Sequence, residues 1–285
     1  MAVTLALLSA LAYGVSDFVA GVLSRRTSAW AIAVVGQASS LVCVAVLALF
    51  VSGTPSPTDF AWAALAGVGG GAGSGFLYRG FAAGRISVVA PVSGVGAAVV
   101  PVLAGVAAGE RPELLVWLGI LVALPGIWLV SSSPGEAGAS TDDVQPTASV
   151  AAGVVDGALA GVSFGVLFAA LAQVPDTAGW WPLAVTQAVA IPTVVLLAVV
   201  LGAAWVPRGR TVRWAVWMGP LGAVATGAFL LASQRGFLTI TGVLASLYPA
   251  GTVLLATVVL HEKVHRAQGA GLALCGLAVV LVAGG

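Results

Sequence analysis

The chain has 285 residues, of which 60% are hydrophobic and only 7% are charged, and its formal net charge is +1. A soluble domain averages about 25% charged residues, so a fold this apolar could not cover a water-exposed surface with polar groups. The composition therefore predicts a protein embedded in a lipid bilayer, and the small net charge offers no electrostatic basis for nucleic-acid binding.

Ten apolar runs follow one another, most of them close to the roughly 20 residues that one membrane crossing needs. A polar stretch rich in Ser, Gly, Pro and acidic residues divides them into two sets of five. We therefore predict an all-α membrane protein with two five-helix repeats, residues 1–132 and 150–285, joined by a linker at 133–149. The predicted helices occupy 3–23, 29–50, 61–81, 86–108, 114–130, 150–171, 181–205, 214–237, 242–260 and 267–282.

Short motifs recur in the same order in both halves. The matched pairs are Tyr13-Gly14-Val15 with Phe164-Gly165-Val166, Arg79-Gly80-Phe81 with Arg235-Gly236-Phe237, and Gly109-Glu110-Arg111 with His261-Glu262-Lys263. An odd number of helices in each half means that the second copy enters the membrane upside down, as in inverted-repeat transporters.

The loop charges predict the orientation. Alternate loops carry nine of the eleven basic residues, namely Arg25, Arg26, Arg79, Arg85, Arg208, Arg210, Arg213, Lys263 and Arg266; the other loops carry Arg111 and Arg235. Because cytoplasmic loops are the positive ones, we expect both termini outside the cell and the linker inside.

This pattern resembles the EamA-type members of the drug/metabolite transporter superfamily. Tyr13-Gly14 in the first helix carries the likeness, together with the segments 87–111 and 241–263, each of which runs from a proline-containing helix to a Glu-containing turn. The resemblance implies ten helices and alternating-access export or exchange of a small polar metabolite, amino-acid-like or another organic solute. It also implies a plasma-membrane location and neither an enzymatic activity nor a cofactor. A homodimer is compatible with the sequence, and the expected partners are the solute and the lipid bilayer.

Ionisable residues inside apolar runs are the strongest site candidates, because an unpaired charge facing lipid costs about 2.5–3.5 kcal/mol on insertion scales. Asp17, Arg79, Asp156 and Arg235 are such residues, so each should face a cavity or one another. With polar neighbours added, the candidate solute-binding residues are Tyr13, Ser16, Asp17, Ser74, Tyr78, Arg79, Gln234, Arg235, Ser246 and Tyr248.

The two arginines at matching positions suggest a solute with an acidic group, which a guanidinium binds bidentately. For the arginines, the alternative is that they snorkel from helix ends to the interface.

His261 and His265 form an H-E-x-x-H motif, which on a helix would suit a zinc hydrolase. The matching position of the first half has no histidine, so we expect no metal. The motif is interpreted as a charged helix end, with Glu110 and Glu262 fixing the turn through nearby backbone donors. The hydrolase and a non-transporting membrane scaffold remain the alternative functions.

Glycines spaced by four mark two helices. They are Gly67, Gly71 and Gly75 in the third helix, and Gly153, Gly157, Gly161 and Gly165 in the sixth. Such small-residue stripes let helices approach closely in lipid, so the third and sixth helices should lie at crowded interfaces.

Overall fold

The structure, a computed structural model, describes residues 1–83, 86–131, 147–259 and 266–284. Within these ranges the regular elements are helical and no strand occurs, which confirms the predicted all-α class. The helices are α1 (Ala2–Ser24), α2 (Ala29–Ala48), α3 (Pro57–Ala82), α4 (Ile86–Ala107), α5 (Leu114–Ser131), α6 (Thr147–Leu171), α7 (Trp181–Val200), α8 (Met218–Ser233), α9 (Leu238–Ala245), α10 (Tyr248–Val259) and α11 (Arg266–Gly284).

Eight helical segments in the described part of the chain are long and apolar enough to cross a bilayer. One of these eight segments, Thr211–Ser233, consists of the 3₁₀ segment Thr211–Trp217 followed by α8. The apolar stretch Leu114–Val130 of α5 is somewhat shorter than the eight. The chain is therefore a multi-pass integral membrane protein.

The predicted helix at 242–260 is interrupted. The structure has α9 and α10 there, and Ser246 and Leu247 separate them. Pro249, the second residue of α10, has no N–H to donate to the carbonyl of Ala245, and a proline disfavours helical geometry in the residue before it. The break coincides with this proline, whereas α4, α5 and α7 each continue through an internal proline.

The two halves interleave rather than lying side by side. Helix α1 packs against α8, α3 packs against α6 and α7, and α4 packs against α6. Helix α2 contacts α7 and α8, and α5 lies along α11. Each of these contacts joins the first half to the second, so the centre of the molecule is built from both.

The glycine stripes lie at close helix contacts, as predicted. A Cβ atom added at Gly67 or Gly71 would come within 2.5 Å of a backbone oxygen of α7. One added at Gly161 would lie 2.7 Å from the Ser93 carbonyl oxygen of α4. On α3, Gly67 and Gly71 therefore face α7 and Gly75 faces Trp30 of α2, while the stripe on α6 faces α4. The α3–α6 contact uses other glycines of α3, Gly69 and Gly73.

Candidate functional site: a central polar cavity

A cavity lies between six helices, α1, α2 and α3 from the first half and α6, α7 and α8 from the second. It holds about 580 Å³ of space not filled by protein atoms, including the space at its opening. Its described lining residues are Tyr13, Ser16, Asp17, Ala33, Gly36, Gln37, Ser40, Gly70, Ser74, Tyr78, Phe164, Leu167, Thr186, Gln187, Met218, Gly222 and Thr226. A concave site with apolar walls and a few polar groups is typical of small-molecule binding.

Helix α1 brings Asp17 to the cavity. The side chain is only 4% exposed, and the Tyr78 hydroxyl on α3 donates a hydrogen bond of 3.3 Å to Asp17 Oδ1. Tyr13 lies four positions earlier on the same face of α1, since residues i and i+4 are neighbours on a helix. One turn of α1 therefore presents a carboxyl group and a phenol to the same space.

Two glutamines complete the polar lining, one from each half. Gln187 Nε2 on α7 donates to Ser40 Oγ at 2.7 Å and to Thr226 Oγ1 at 3.4 Å. Gln37 Nε2 on α2 donates to Ser74 Oγ at 3.4 Å. Neither glutamine was among the residues predicted from the sequence, although each is the single amide side chain in its apolar run.

The hydroxyl of Tyr13 is buried and has no hydrogen-bond partner among the described residues. Its ring packs edge-on against Phe168 at 5.9 Å and lies 6.5 Å from the ring of Tyr248. A buried tyrosine hydroxyl usually finds a partner, so this group is available to a molecule in the cavity.

Tyr248 lies behind the cavity wall. Its hydroxyl is 2.6 Å from Ser93 Oγ on α4, and its ring packs edge-on against Phe164 at 6.1 Å. Phe164 itself lines the cavity, whereas Tyr248 is not among the described lining residues. Tyr248 therefore supports the wall of the cavity, and its contact with solute stays a prediction.

Arg79 forms an ion pair with Asp156 across α3 and α6, with Nε 2.9 Å from Oδ1 and Nη2 also in contact with that oxygen. Its guanidinium carbon also lies 4.9 Å from the Phe76 ring centroid. The expectation that charges inside apolar runs face a cavity or each other is met here. Arg79 is not among the described lining residues of the central cavity, and its contact with solute stays a prediction.

The remaining candidates also lie outside the described lining. Gln234 donates to the Val174 carbonyl at 3.2 Å, and Ser246 donates to the Gly242 carbonyl at 2.7 Å. Arg235 is exposed just after α8 and donates to the Leu231 carbonyl at 2.8 Å. A long side chain at a helix end can reach the interface, which is the snorkelling alternative for Arg235.

The acidic solute that the sequence suggested stays a prediction, and the described lining of the cavity supplies no positive charge to bind it. Among its described lining residues Asp17 is the one acidic group, and no lysine, arginine or histidine lines it. The described part of the chain also holds no group of three or more potential metal-ligating side chains. The His261–His265 motif lies outside the described residues.

A solved structure with the same architecture supports the fold. It is described only as "Crystal structure of protein" and aligns with a TM-score of 0.66 at 18% identity, covering 96% of this chain and 98% of that chain. Among curated proteins, none matches the chain.

A family comparison matches the first half of the chain. Residues 1–132 match the EamA-like transporter family, and they include the cavity residues of α1, α2 and α3. This match agrees with the predicted resemblance and indicates a membrane transporter of small solutes. The likeness to the EamA-like transporter family therefore covers residues 1–132 of the chain.

Proposed function

We propose that the protein carries a small polar metabolite across the plasma membrane by alternating access, in export or exchange, with the central cavity as its solute site. The observation that carries this proposal is a polar cavity, lined by both halves, inside a chain with 7% charged residues. In transporters built from repeats, the solute site lies at the interface between the repeats.

The contacts between helices support two inverted five-helix repeats. In two such repeats, α6 is the counterpart of α1 and α8 is the counterpart of α3. The α1–α8 contact then corresponds to the α6–α3 contact, and the structure has both. The α4–α6 contact likewise corresponds to the packing of α1 against α9 and α10. This correspondence treats α9 and α10 as one crossing and α5 as another, which gives ten crossings in all.

Polar contacts between the halves occur at both ends of the molecule. The Arg79–Asp156 pair joins the C-terminal end of α3 to α6. At the C-terminal end of α4, Glu110 Oε1 accepts from Leu238 N–H at 2.6 Å and Oε2 accepts from Thr239 N–H at 2.8 Å. Because α3 and α4 run in opposite directions, the two contacts lie at opposite ends. In alternating access, the contacts at one end of the molecule break to open the cavity on that side while those at the other end stay closed.

The test is solute counterflow in reconstituted vesicles, using a ligand found by a thermal-shift screen of the purified protein against metabolites, since a ligand of the folded state raises its stability. The blocking variant is Gly70→Leu, because Gly70 lines the cavity and an added Cβ has ordinary contact room, 3.7 Å from Leu167 Cδ1. The matched control is Gly276→Leu, which adds the same side chain where nothing lies within 4 Å.

We expect saturable counterflow by the wild type and by Gly276→Leu, and loss of counterflow in a folded Gly70→Leu protein. Normal counterflow by Gly70→Leu would place the solute elsewhere. A flux that rises linearly with solute concentration and shows no counterflow would indicate a channel. The absence of flux for every ligand found in the screen would favour a scaffold.

A further inference from the structure

We propose that the cavity selects small organic solutes that carry a protonated amine, with Asp17 as the group that pairs with the ammonium. This inference rests on the proposed function, because it assigns a charge class to the same cavity. It replaces the acidic solute suggested by the two arginines of the sequence, one of which is bound by Asp156 while the other is exposed beside α8.

The first argument is charge. Asp17 is the one acidic group among the described lining residues, and no basic side chain accompanies it there. Burying a carboxylate is costly unless a cation pairs with it. A solute ammonium supplies that cation, whereas a solute carboxylate would face Asp17 without any described counter-charge.

The second argument is hydrogen-bonding capacity. A carboxylate can accept about four hydrogen bonds, and the described donor to Asp17 is Tyr78 at 3.3 Å. That distance is long, because an O–H group normally approaches a carboxylate to about 2.5–2.7 Å. Asp17 therefore keeps capacity for the N–H groups of an ammonium.

The Tyr13 hydroxyl gives the cavity a second oxygen for the ammonium. The Tyr13 hydroxyl is buried without a described partner and lies one helical turn away on the same wall. Its oxygen can accept a second ammonium N–H, since an ammonium has three donors and no acceptor. The lining thus offers the ammonium a carboxylate and a neutral oxygen.

The fourth argument is the aromatic wall. Tyr13, Tyr78 and Phe164 line the same cavity as Asp17. The face of an aromatic ring attracts a cation, because the ring carries partial negative charge on its face. An organic cation with apolar carbons suits this wall better than a strongly hydrated inorganic ion.

The experiment compares three probes of similar size that differ in charge: 2-phenylethylamine, 2-phenylethanol and 3-phenylpropanoate. Dissociation constants are measured by calorimetry on the full-length protein in lipid nanodiscs, with empty nanodiscs subtracted for partitioning. We expect the amine to bind tightest, and Asp17→Asn to weaken its binding at least tenfold without weakening that of the alcohol. Glu113→Gln removes an exposed carboxylate outside the cavity and should change neither.

A second variant keeps the test decisive if Asp17→Asn does not fold. Tyr13→Phe retains the ring and removes only the unpartnered hydroxyl, so it should raise the dissociation constant of the amine several-fold. Amine binding that is unchanged in a folded Asp17→Asn protein would overturn the proposal, and so would wild-type binding of the amine weaker than about 10 mM. If the alcohol or the carboxylate binds tighter than the amine and Gly70→Leu abolishes that binding, the cavity is still the solute site and only its charge class is wrong.

Discussion

Replacing Gly69 by alanine is expected to destabilise the packing of α3 against α6, whereas the same change at the adjacent Gly70 is not. A Cβ at Gly69 would lie 2.5 Å from the Ser163 carbonyl oxygen and 2.7 Å from the Leu167 backbone nitrogen. The shorter distance is 0.9 Å below the 3.4 Å at which ordinary contact begins. Both neighbouring atoms belong to the backbone of α6, so only a separation of the helices can relieve the clash.

A gap of about 0.5–1 Å forfeits a quarter to a half of the dispersion energy of each contact, and overpacking costs about 1–3 kcal/mol. We therefore expect Gly69→Ala to lower the free energy of unfolding by about 1–3 kcal/mol. Gly70→Ala, with its nearest neighbour 3.7 Å away at Leu167 Cδ1, should stay within about 0.5 kcal/mol of wild type.

The assay is unfolding by sodium dodecyl sulfate in mixed micelles, followed by tryptophan fluorescence. Helices persist in the detergent-unfolded state, so the gain in helix propensity from Gly to Ala largely cancels and the packing difference remains. Equal effects of the two substitutions, or a stabilising effect of Gly69→Ala, would refute the close approach of α3 and α6 at this residue.

Four further outcomes are expected. A double-mutant cycle of Arg79→Gln and Asp156→Asn should give a coupling energy of about 1–3 kcal/mol, which lies between the values typical of exposed and of buried ion pairs. The reason is that the two side chains are 32% and 3% exposed, and additivity of the two substitutions within about 0.5 kcal/mol would contradict the ion pair. Glu110→Gln should lower the unfolding free energy by about 1–3 kcal/mol, and Glu113→Gln by far less, whereas equal losses would argue against the contact with α9. A reporter fused to the C-terminus should lie outside the cell, and a cytoplasmic signal would reverse the orientation. Elemental analysis should find no stoichiometric zinc, and one zinc per chain that is lost in His261→Ala would favour the hydrolase.

Asp17, Ser16 and Tyr13 could be predicted as site residues because they are polar groups close together in one apolar run. Ser74 and Tyr78 followed for the same reason, and all five line the cavity. Gln37 and Gln187 carried the same signal without a charge, and a search restricted to ionisable groups and their neighbours missed them. An uncharged amide inside a predicted crossing therefore deserves the weight given to a carboxylate.

Glu110 illustrates a partial success. The sequence suggested that it fixes a helix end through backbone donors, and its carboxylate does accept two backbone N–H groups. Those donors belong to the start of α9, 128 and 129 positions away, so the contact joins the halves rather than closing a local turn. A repeat motif indicates which residue is special, but it does not identify the partner.

The sequence by itself determined the membrane setting, the helical class and most helix bounds, because apolar length and proline chemistry act over one or two turns of a single segment. Tertiary structure decided which charges line the cavity and which pair with each other. Arg79 and Asp17 look alike as charges inside apolar runs, yet one is paired across α3 and α6 and the other lies in the cavity wall. That difference depends on how each helix is rotated against its neighbours, which is set by packing between segments far apart in the chain, such as the approach of Gly69 to Leu167.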